Sequence, residues 1–375
     1  MTRILLMTHL GDRHAYAVAE ALRRKGESPV LWLTADYPMR ARETIEFRGR
    51  EHRIAISGPD FETPVADFDV VWHRRAAFYL EPSLLHPADV KFAHEGCKRF
   101  REALYLLLAP GAFWVNGREA AVRALHKPLQ HAVAIDAGLD TPDTLYTNDP
   151  DAIRAFIRAH GGSIAYKPFK SWTWSDGKKL WNPATSLLTE AELVDDGVIA
   201  LSPAIYQELV PKAYELRVTV IGERMFAVKL DSQSTRRGRI DWRRGQFELH
   251  PEATTLPREI EERCRALMTR LGLVFGCIDL IVTPDGRYVF LEVNEMGQWL
   301  FVEDWTGQPM LDAFAEMLRQ GRSDYVWSES GEHVRYADVN AALDPMHLAL
   351  AKDHVEMIIA SWPEGEARGE TRVDA

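Results

Sequence analysis

The feature that most constrains this chain is a pair of apolar runs, CIDLIVT and RYVFLEVN, on either side of the PDG turn at 284–286. Branched and aromatic runs bounded by a Pro/Gly turn read as neighbouring antiparallel strands, yet these two carry Asp279, Glu292 and Asn294. Glu292 and Asn294 stand two apart and so point to one face of their strand, and hairpin pairing can bring Asp279 beside them. Two carboxylates and an amide form an all-oxygen set, suited to a hard cation such as Mg²⁺ that shares its shell with water and substrate phosphates. A solvated sheet edge is the plain alternative. Against it, polar groups in so apolar a strand are costly to bury without cations or hydrogen-bond partners.

Composition limits what such a hairpin can belong to. The chain has 375 residues, enough for two or three lobes, and 46% apolar residues with no low-complexity run imply a folded globular protein. A net charge of −10 and a pI near 5.8 give no general attraction to nucleic acid or an anionic membrane, so neither is expected as a partner. Cys97, Cys264 and Cys277 are odd in number and lack metal spacing, which argues against a disulfide framework or a zinc knuckle. The opening ILLMTHL is too short, and too soon interrupted by GDRH, for a signal peptide, and no run approaches the roughly 20 apolar residues of a membrane span. A reducing cytoplasm is the expected location.

Residues 1–117 alternate strand and helix: RILLMT, then HAYAVAEALRRKG with a Gly stop at 26, then the strands PVLWLTA and FDVVWHR. This pattern predicts a parallel α/β lobe. Asp12 and His14 lie in its first strand-to-helix loop, where ligands often sit, although one Gly is too few for a phosphate fingerprint. Arg74 and Arg75 end a strand and read either as contacts for an acidic substrate or as surface cations. A helix is expected at 95–108. In the central lobe, 118–204, GREAAVRALHKPLQHAVAIDAG reads as one helix, DPDAIRAFIRAHGG as an Asp-capped helix, and SIAYKPF as a strand carrying Lys167. The stretch KSWTWSDGKKLWNP at 170–183 is polar, aromatic and aperiodic, and reads as a mobile flap whose Trp residues close over something. Residues 205–325 form an α+β lobe: the strands PAIYQELV, ELRVTVIG and ERMFAVKLDS, the helix PREIEERCRALMTRLGL, the hairpin, and the helix PMLDAFAEMLRQG. The extension at 326–375 has helical periodicity interrupted at Pro345 and a polar end that reads as disordered.

The strings YKPF (166–169), YQELV (206–210) and the hairpin, in that order, make residues 118–320 resemble an ATP-grasp ligase. Within that superfamily the chain is most similar to the graspetide (microviridin-type) ligases that crosslink ribosomally made peptides. The narrower likeness rests on ILLMTHLGDRHA, VWHRR, HKPLQHAVAIDAGLDTPDTLYTND, KAYELRVTVIGERMFAVKLDSQ, DWRR and LEVNEMGQWLFVE, and covers roughly residues 1–320.

The resemblance implies a mixed α/β and α+β chain: an ATP-grasp fold behind an N-terminal parallel α/β pre-grasp lobe. It implies ATP and two Mg²⁺ as cofactors, with Asp279, Glu292 and Asn294 as metal ligands and Lys127 and Lys167 directed at the α/β phosphates. Glu208, Leu209 and Val210 match the segment whose backbone meets adenine, Glu215 an acidic position beside the ribose, and Arg217 and Lys229 cations near the γ-phosphate and acyl group. With only Gly177 in the flap, phosphate contacts there fall to Ser175, Lys178 or Lys179.

The implied reaction activates Asp or Glu side chains of a precursor peptide as acyl phosphates and joins them to Ser/Thr hydroxyls or a Lys amine. The implied partner is that peptide with its leader. The basic hairpin candidate STRRGRIDWRRGQ at 234–246 offers Arg236, Arg237 and Arg239 as leader contacts, with a solvated turn as the alternative and nucleic acid disfavoured by the acidic balance. A homodimer is left open. Two other functions stay in view: a free-standing ATP-grasp amino-acid ligase acting on a small molecule or protein terminus, and a non-catalytic ATP-binding module, which the complete metal trio disfavours.

Overall fold

The computed structural model describes residues 2–345 apart from 10, 34–41, 59–60, 65–67, 77–79, 81–83, 170–173, 176–179, 182–184, 237, 245–247, 250 and 344. The first third runs β1 (Ile4–Thr8), α1 (Arg13–Arg24), β2 (Val30–Leu33), β3 (Arg42–Arg48), β4 (Glu51–Gly58), β5 (Phe61–Pro64), β6 (Val70–His73), α2 (Val90–Leu107) and β7 (Phe113–Val115). The expected parallel sheet is present in the order β2-β1-β6-β7, with every pair parallel. A second, antiparallel sheet, β3-β4-β5, is an addition to the sequence reading. β3 and β4 are rich in Arg and Glu and expose most of one face, so their alternation is faint. Ile54 and Ile56 nevertheless reach the core, and Arg101 of α2 pins β3 through a 2.6 Å pair with Glu43.

Past β7 the stretch expected to be a single helix is two, α3 (Arg118–Ala124) and α4 (Lys127–Asp136). Pro128 explains the break, since a ring without an N–H is tolerated in a first helical turn and not in an interior. Both helices pack against the C-terminal lobe: Ala124, Val133 and Ala134 share an apolar cluster with Leu216, Ile278 and Phe290.

The central sheet follows as β8 (Thr144–Thr147), α5 (Pro150–Ala159), β9 (Ser163–Lys167), β10 (Trp174–Ser175), β11 (Leu180–Trp181), β12 (Ser186–Thr189), α6 (Asp196–Leu201) and β13 (Ala204–Gln207). Its order is β12-β9-β13-β8, antiparallel, over Ile153, Ile157, Ile164 and Ile199. The aperiodic stretch at 170–183 contains a short antiparallel pair, Trp174–Ser175 with Leu180–Trp181, while Lys178 and Lys179 lie outside the described residues.

The C-terminal lobe contains β14 (Tyr214–Ile221), β15 (Arg224–Leu230), β16 (Glu252–Thr254), α7 (Arg258–Leu271), β17 (Phe275–Val282), β18 (Tyr288–Asn294), α8 (Leu300–Thr306) and α9 (Met310–Gln320). The sheet order is β16-β15-β14-β17-β18, all antiparallel. One face is closed by α3, α4 and α7. The other packs at one end on α8, α9 and the first lobe's α1, where Trp72, Phe275, Trp299 and Phe314 stack with centroids 4.7–6.5 Å apart.

The first part of the C-terminal extension belongs to this same core. Trp327, Tyr336, Val339 and Leu343 are buried in it, and residues 336–343 are helical. Asp312 anchors the extension by accepting from Trp327 Nε1 at 2.9 Å and from the Val334 amide at 3.0 Å, with Lys25 Nζ at 2.7 Å on the same carboxylate. The polar end, 346–375, lies outside the described residues.

Candidate active site

Strand pairing does what the hairpin pattern requires. Asp279 of β17 sits directly opposite Glu292 of β18, and Asn294 lies two residues on, opposite Cys277. A β-bulge between Asp279 and Leu280 makes Leu280 pair with Phe290, leaving Leu291 as the extra residue. Leu291 consequently packs with Ile281, Val289 and Val210 rather than on the helix-covered face. The result is an apolar floor between the Glu208–Val210 segment and the carboxylates.

On the neighbouring strand, Glu215, Arg217 and Thr219 share the face of Asp279 and Cys277. Arg217, nearly fully buried, donates from Nη1 to both Asp279 oxygens at 2.9 and 3.1 Å and from Nη2 to the Gln298 carbonyl at 3.0 Å. Burial works against the Arg217 charge, but the Asp279 carboxylate outweighs it and drives the guanidinium pKa up. Burial and the charge of Glu292 push the Asp279 carboxyl up, opposed by Arg217.

Other cations arrive from three directions. Lys127, the first residue of α4, ion-pairs with Glu292. Gln130, one turn on, donates to the Val293 carbonyl and accepts from the Val293 amide, both at 2.9 Å, and so fixes that helix end on β18. Lys167 at the end of β9 donates to Gln207 Oε1 at 2.6 Å. Burial lowers the Lys167 ammonium to about 8; Glu292 opposes the shift while Lys212, Lys127 and Arg243 add to it. Burial also raises Glu292, yet Lys127, Arg243 and Lys167 prevail and hold it at about 2. Lys212 pairs with the buried Glu215 at 3.0 Å, and Arg243, braced on Asp241 at 2.8 Å, approaches Glu292 to 3.9 Å.

Lys167 is the cation without a carboxylate partner among the described residues; its acceptor is a neutral amide. Such a ring of cations around two carboxylates is arranged for an anion more highly charged than the protein supplies, as a polyphosphate is. The donor set fits Mg²⁺: Asp279 and Glu292 offer carboxylate oxygens face to face, and Asn294 Oδ1, which accepts from the Met296 amide at 3.0 Å, keeps a second lone pair.

Lys229 does not join this group. It pairs with Leu216, on the face covered by α7, and its ammonium lies 5.1 Å from the centre of the Tyr214 ring and 3.9 Å from Glu252. Of the two cations expected together, Arg217 stands with the carboxylates and Lys229 does not. Arg243 and Lys212 are the residues that motif reading missed. The stretch at 234–246 is also no hairpin among its described residues but a run of turns around 3₁₀ segments at Ser232–Ser234 and Trp242–Arg244. Arg236 and Arg239 are exposed on it, and Arg237 lies outside the described residues. Of the adenine segment, the Glu208 amide is already given to the Asp143 carbonyl at 2.9 Å, whereas the Val210 amide has no backbone acceptor among the described residues.

The first lobe closes the site from the other side. Asp12 caps α1 and accepts from Thr8 Oγ1 at 2.8 Å and from Arg74 Nε, an ion pair at 3.0 Å. Burial raises Asp12, but the Arg74 guanidinium, with the Thr8 hydroxyl donating as well, outweighs that effect and brings it to about 2. Burial and Arg74 keep His14 neutral, well below its usual pKa, and its Nε2 accepts from the Trp299 and Leu300 amides at 3.0 and 3.3 Å. Arg74 Nη1 donates to the carbonyls of Met296 and Gly297. These residues thus hold the loop that follows the metal strand. Gly297 is required there, since a Cβ would fall 2.5 Å from Cys277 Sγ and 2.9 Å from Arg217 Nη2.

The fold is shared with known proteins. Residues 3–120 match the MvdD pre-ATP grasp domain. The macrocyclase MdnC of Microcystis aeruginosa MRC, bound with precursor peptide MdnA, superposes with a TM-score of 0.74 at 27% identity, over 85% of this chain and 100% of that one. The ATP-grasp ligase PsnB, complexed with minimal precursor, Mg and ADP, superposes with a TM-score of 0.66 at 25% identity, over 85% of this chain and 96% of that one. A probable alpha-L-glutamate ligase of Xanthomonas oryzae pv. oryzae is 27% identical over 218 residues, 56% of this chain and 70% of that protein. The chain thus has an ATP-grasp fold behind a pre-ATP grasp domain, and in fold and sequence it is similar to ATP-grasp ligases. Within that class the chain is similar to the ligases that act on ribosomally made precursor peptides. Among the described residues no helix is long and apolar enough to cross a membrane.

Proposed function

We propose that this enzyme activates Asp or Glu side chains of a ribosomal precursor peptide as acyl phosphates and joins them to Ser/Thr hydroxyls or a Lys amine, closing esters or amides within the peptide. The observation that carries the reading is the Asp279–Glu292 pair ringed by Lys127, Lys167, Lys212, Arg217 and Arg243. A carboxylate is a poor electrophile. Its oxygen first bonds to the γ-phosphorus of ATP as the bond to the β,γ-bridging oxygen breaks, and ADP leaves. The hydroxyl or amine then attacks the acyl carbon and gives up its proton, and inorganic phosphate departs.

Lys127 and Lys167 serve the α/β phosphates as point charges, and Arg217 faces the phosphoryl group in transfer. Asp279, Glu292 and Asn294 hold Mg²⁺, which when bound neutralises charge on the phosphoryl oxygens. The Glu208–Val210 backbone receives adenine over the Ile281–Leu291 floor, and Glu215 lies toward the ribose. Arg236, Arg237 and Arg239 contact the acidic precursor or its leader.

The test is intact mass after incubating the enzyme with a precursor peptide encoded beside its gene, ATP and Mg²⁺. One water is lost from the peptide for each crosslink. The glutamate-ligase relative favours a second reading, amino-acid addition to a small molecule or a protein terminus. A product heavier by an amino-acid residue would select that reading and overturn the first.

A further inference from the structure

Among the described residues, Arg75 is a cation whose guanidinium makes no ion pair. It follows Arg74 at the carboxyl end of β6, in a sheet whose strands are all parallel, which is where open α/β sheets place their ligands. Its backbone is left-handed, with φ +47°, a conformation that costs a long side chain about 1–2 kcal/mol and tends to be retained at functional positions. The turn is fastened to the metal loop, since the Arg75 amide points at Met296 Sδ at 3.2 Å, two residues beyond Asn294. This contact holds the Arg75 turn against the loop that follows β18.

The two neighbouring arginines differ in their partners. Arg74 is buried, paired with Asp12 and bonded to the Met296 and Gly297 carbonyls, so its charge is used inside the protein. Arg75 is exposed, and among the described residues its guanidinium has neither a hydrogen bond nor an ion pair. Asp12 and Glu295 favour its charge from a distance, while burial and Arg74 oppose it. A strained, unpartnered guanidinium beside another arginine is arranged for an anion from outside.

The cations proposed for the nucleotide phosphates come from other elements, Lys127 from α4 and Lys167 from β9. The anion left for the first-lobe side is the acid to be activated. We propose that Arg75 is a specificity-determining residue that receives the substrate's side-chain carboxylate, whose two oxygens match the planar guanidinium fork. This rests on the carboxylate-activating chemistry proposed above and adds the residue that selects its substrate.

The experiment compares wild type, Arg75→Asn and Arg75→Lys. Asn accepts the left-handed backbone and removes the charge, whereas Lys keeps the charge and loses the fork. The probe is N-acetyl-glutamate α-amide, with N-acetyl-glutamine α-amide as the uncharged control, and the readout is ADP release in the presence of ATP and Mg²⁺. We expect Arg75→Asn to raise the half-saturating concentration of the carboxylate at least about tenfold, as for loss of one charge-assisted hydrogen bond, with ATP KM and melting temperature unchanged. Arg75→Lys should recover part of that loss. An unchanged half-saturation in Arg75→Asn overturns the proposal. So does a rise confined to ATP KM, which would place Arg75 on the phosphates, and so does a wild type in which the carboxylate drives no ADP release. Failure of the peptide-crosslinking function would look different: carboxylate-driven ADP release sensitive to Arg75, but no water lost from any precursor.

Discussion

The two faces of the C-terminal sheet are built from the same five strands and do opposite things. On one, Leu216, Val218, Ile278, Leu280 and Phe290 pack dry against α3, α4 and α7. On the other, Glu215, Arg217, Asp279, Glu292 and Asn294 are crowded into one end, with the aromatic cluster filling the rest. The difference is one of parity. A residue's chemistry counts toward the site only if its position in the register turns it to the polar face, and a neighbour one residue away is core or rim whatever its charge.

The largest effect expected from breaking this contrast is on the polar face. Glu292→Gln should lower ADP release by about 10²–10³-fold or more with a smaller loss of stability than Asp279→Asn, because Glu292 and its Lys127 partner are only half-buried. Asp279→Asn should abolish turnover as well, but also destabilise the fold by about 3–5 kcal/mol, since it leaves Arg217 buried without its counter-ion. Denaturant melts beside ADP-release assays check both. Equal stabilities for the two variants would mean that Arg217 is not held by Asp279 as described.

Lys167→Met should weaken ATP binding by about 1.5–3 kcal/mol in calorimetry. Phosphates favour the protonated ammonium, and Lys167 of the free enzyme titrates near 8. Nucleotide affinity should therefore be insensitive to this group below about pH 8 and decline above it, a decline that Lys167→Met removes. The sign for folding is the reverse of that for binding. With the folded value below the unfolded one, the unfolded chain binds the extra proton between about 8 and 10.5, so the contribution of Lys167 to stability rises with pH across that window. An affinity that climbs above pH 8 would remove Lys167 from the phosphates.

Gly297→Ala tests the contact between the polar face and the first lobe. The added methyl meets Cys277, and overpacking of this kind costs about 1–3 kcal/mol, read as a lower denaturant midpoint. Unaltered stability would show that the loop is free to move away from β17. The smallest change is expected from Lys229→Met. On the helix-covered side, with loose contacts to Glu252 and the Tyr214 ring, it should alter stability by less than about 1 kcal/mol and leave ADP-release kinetics near those of the wild type. A loss comparable to that of Arg217→Met would return Lys229 to the site.

Much of this was legible from local pattern. The hairpin strands, the shared face of Glu292 and Asn294, the parallel β1–α1–β2 start and the Asp and Gly helix ends all follow from side-chain periodicity and turn chemistry, which act over a few residues. Even the position of Lys229 can be counted out. The two-residue Gly222–Glu223 turn pairs Ile221 with Arg224, which sets Arg217 opposite Val228 and Lys229 opposite Leu216. Reading the string AVKLDSQ as a motif, without that count, is what places Lys229 with the phosphates.

What the sequence by itself determined is the strands of the metal-ligand hairpin and its neighbours in the C-terminal sheet, and the parity within each, because alternation along a strand is fixed by backbone geometry. Only the tertiary structure decided which charges meet. The turn that carries Arg243 to Glu292 and the Asp12–Arg74 pair that grips the Met296–Gly297 loop join residues from 49 to more than 200 positions apart, and the bulge turns Leu291 onto the distant Val210. Contacts of that span have no periodic trace in the chain. They depend on the order in which the lobes stack, and that order is set by which apolar faces cover one another.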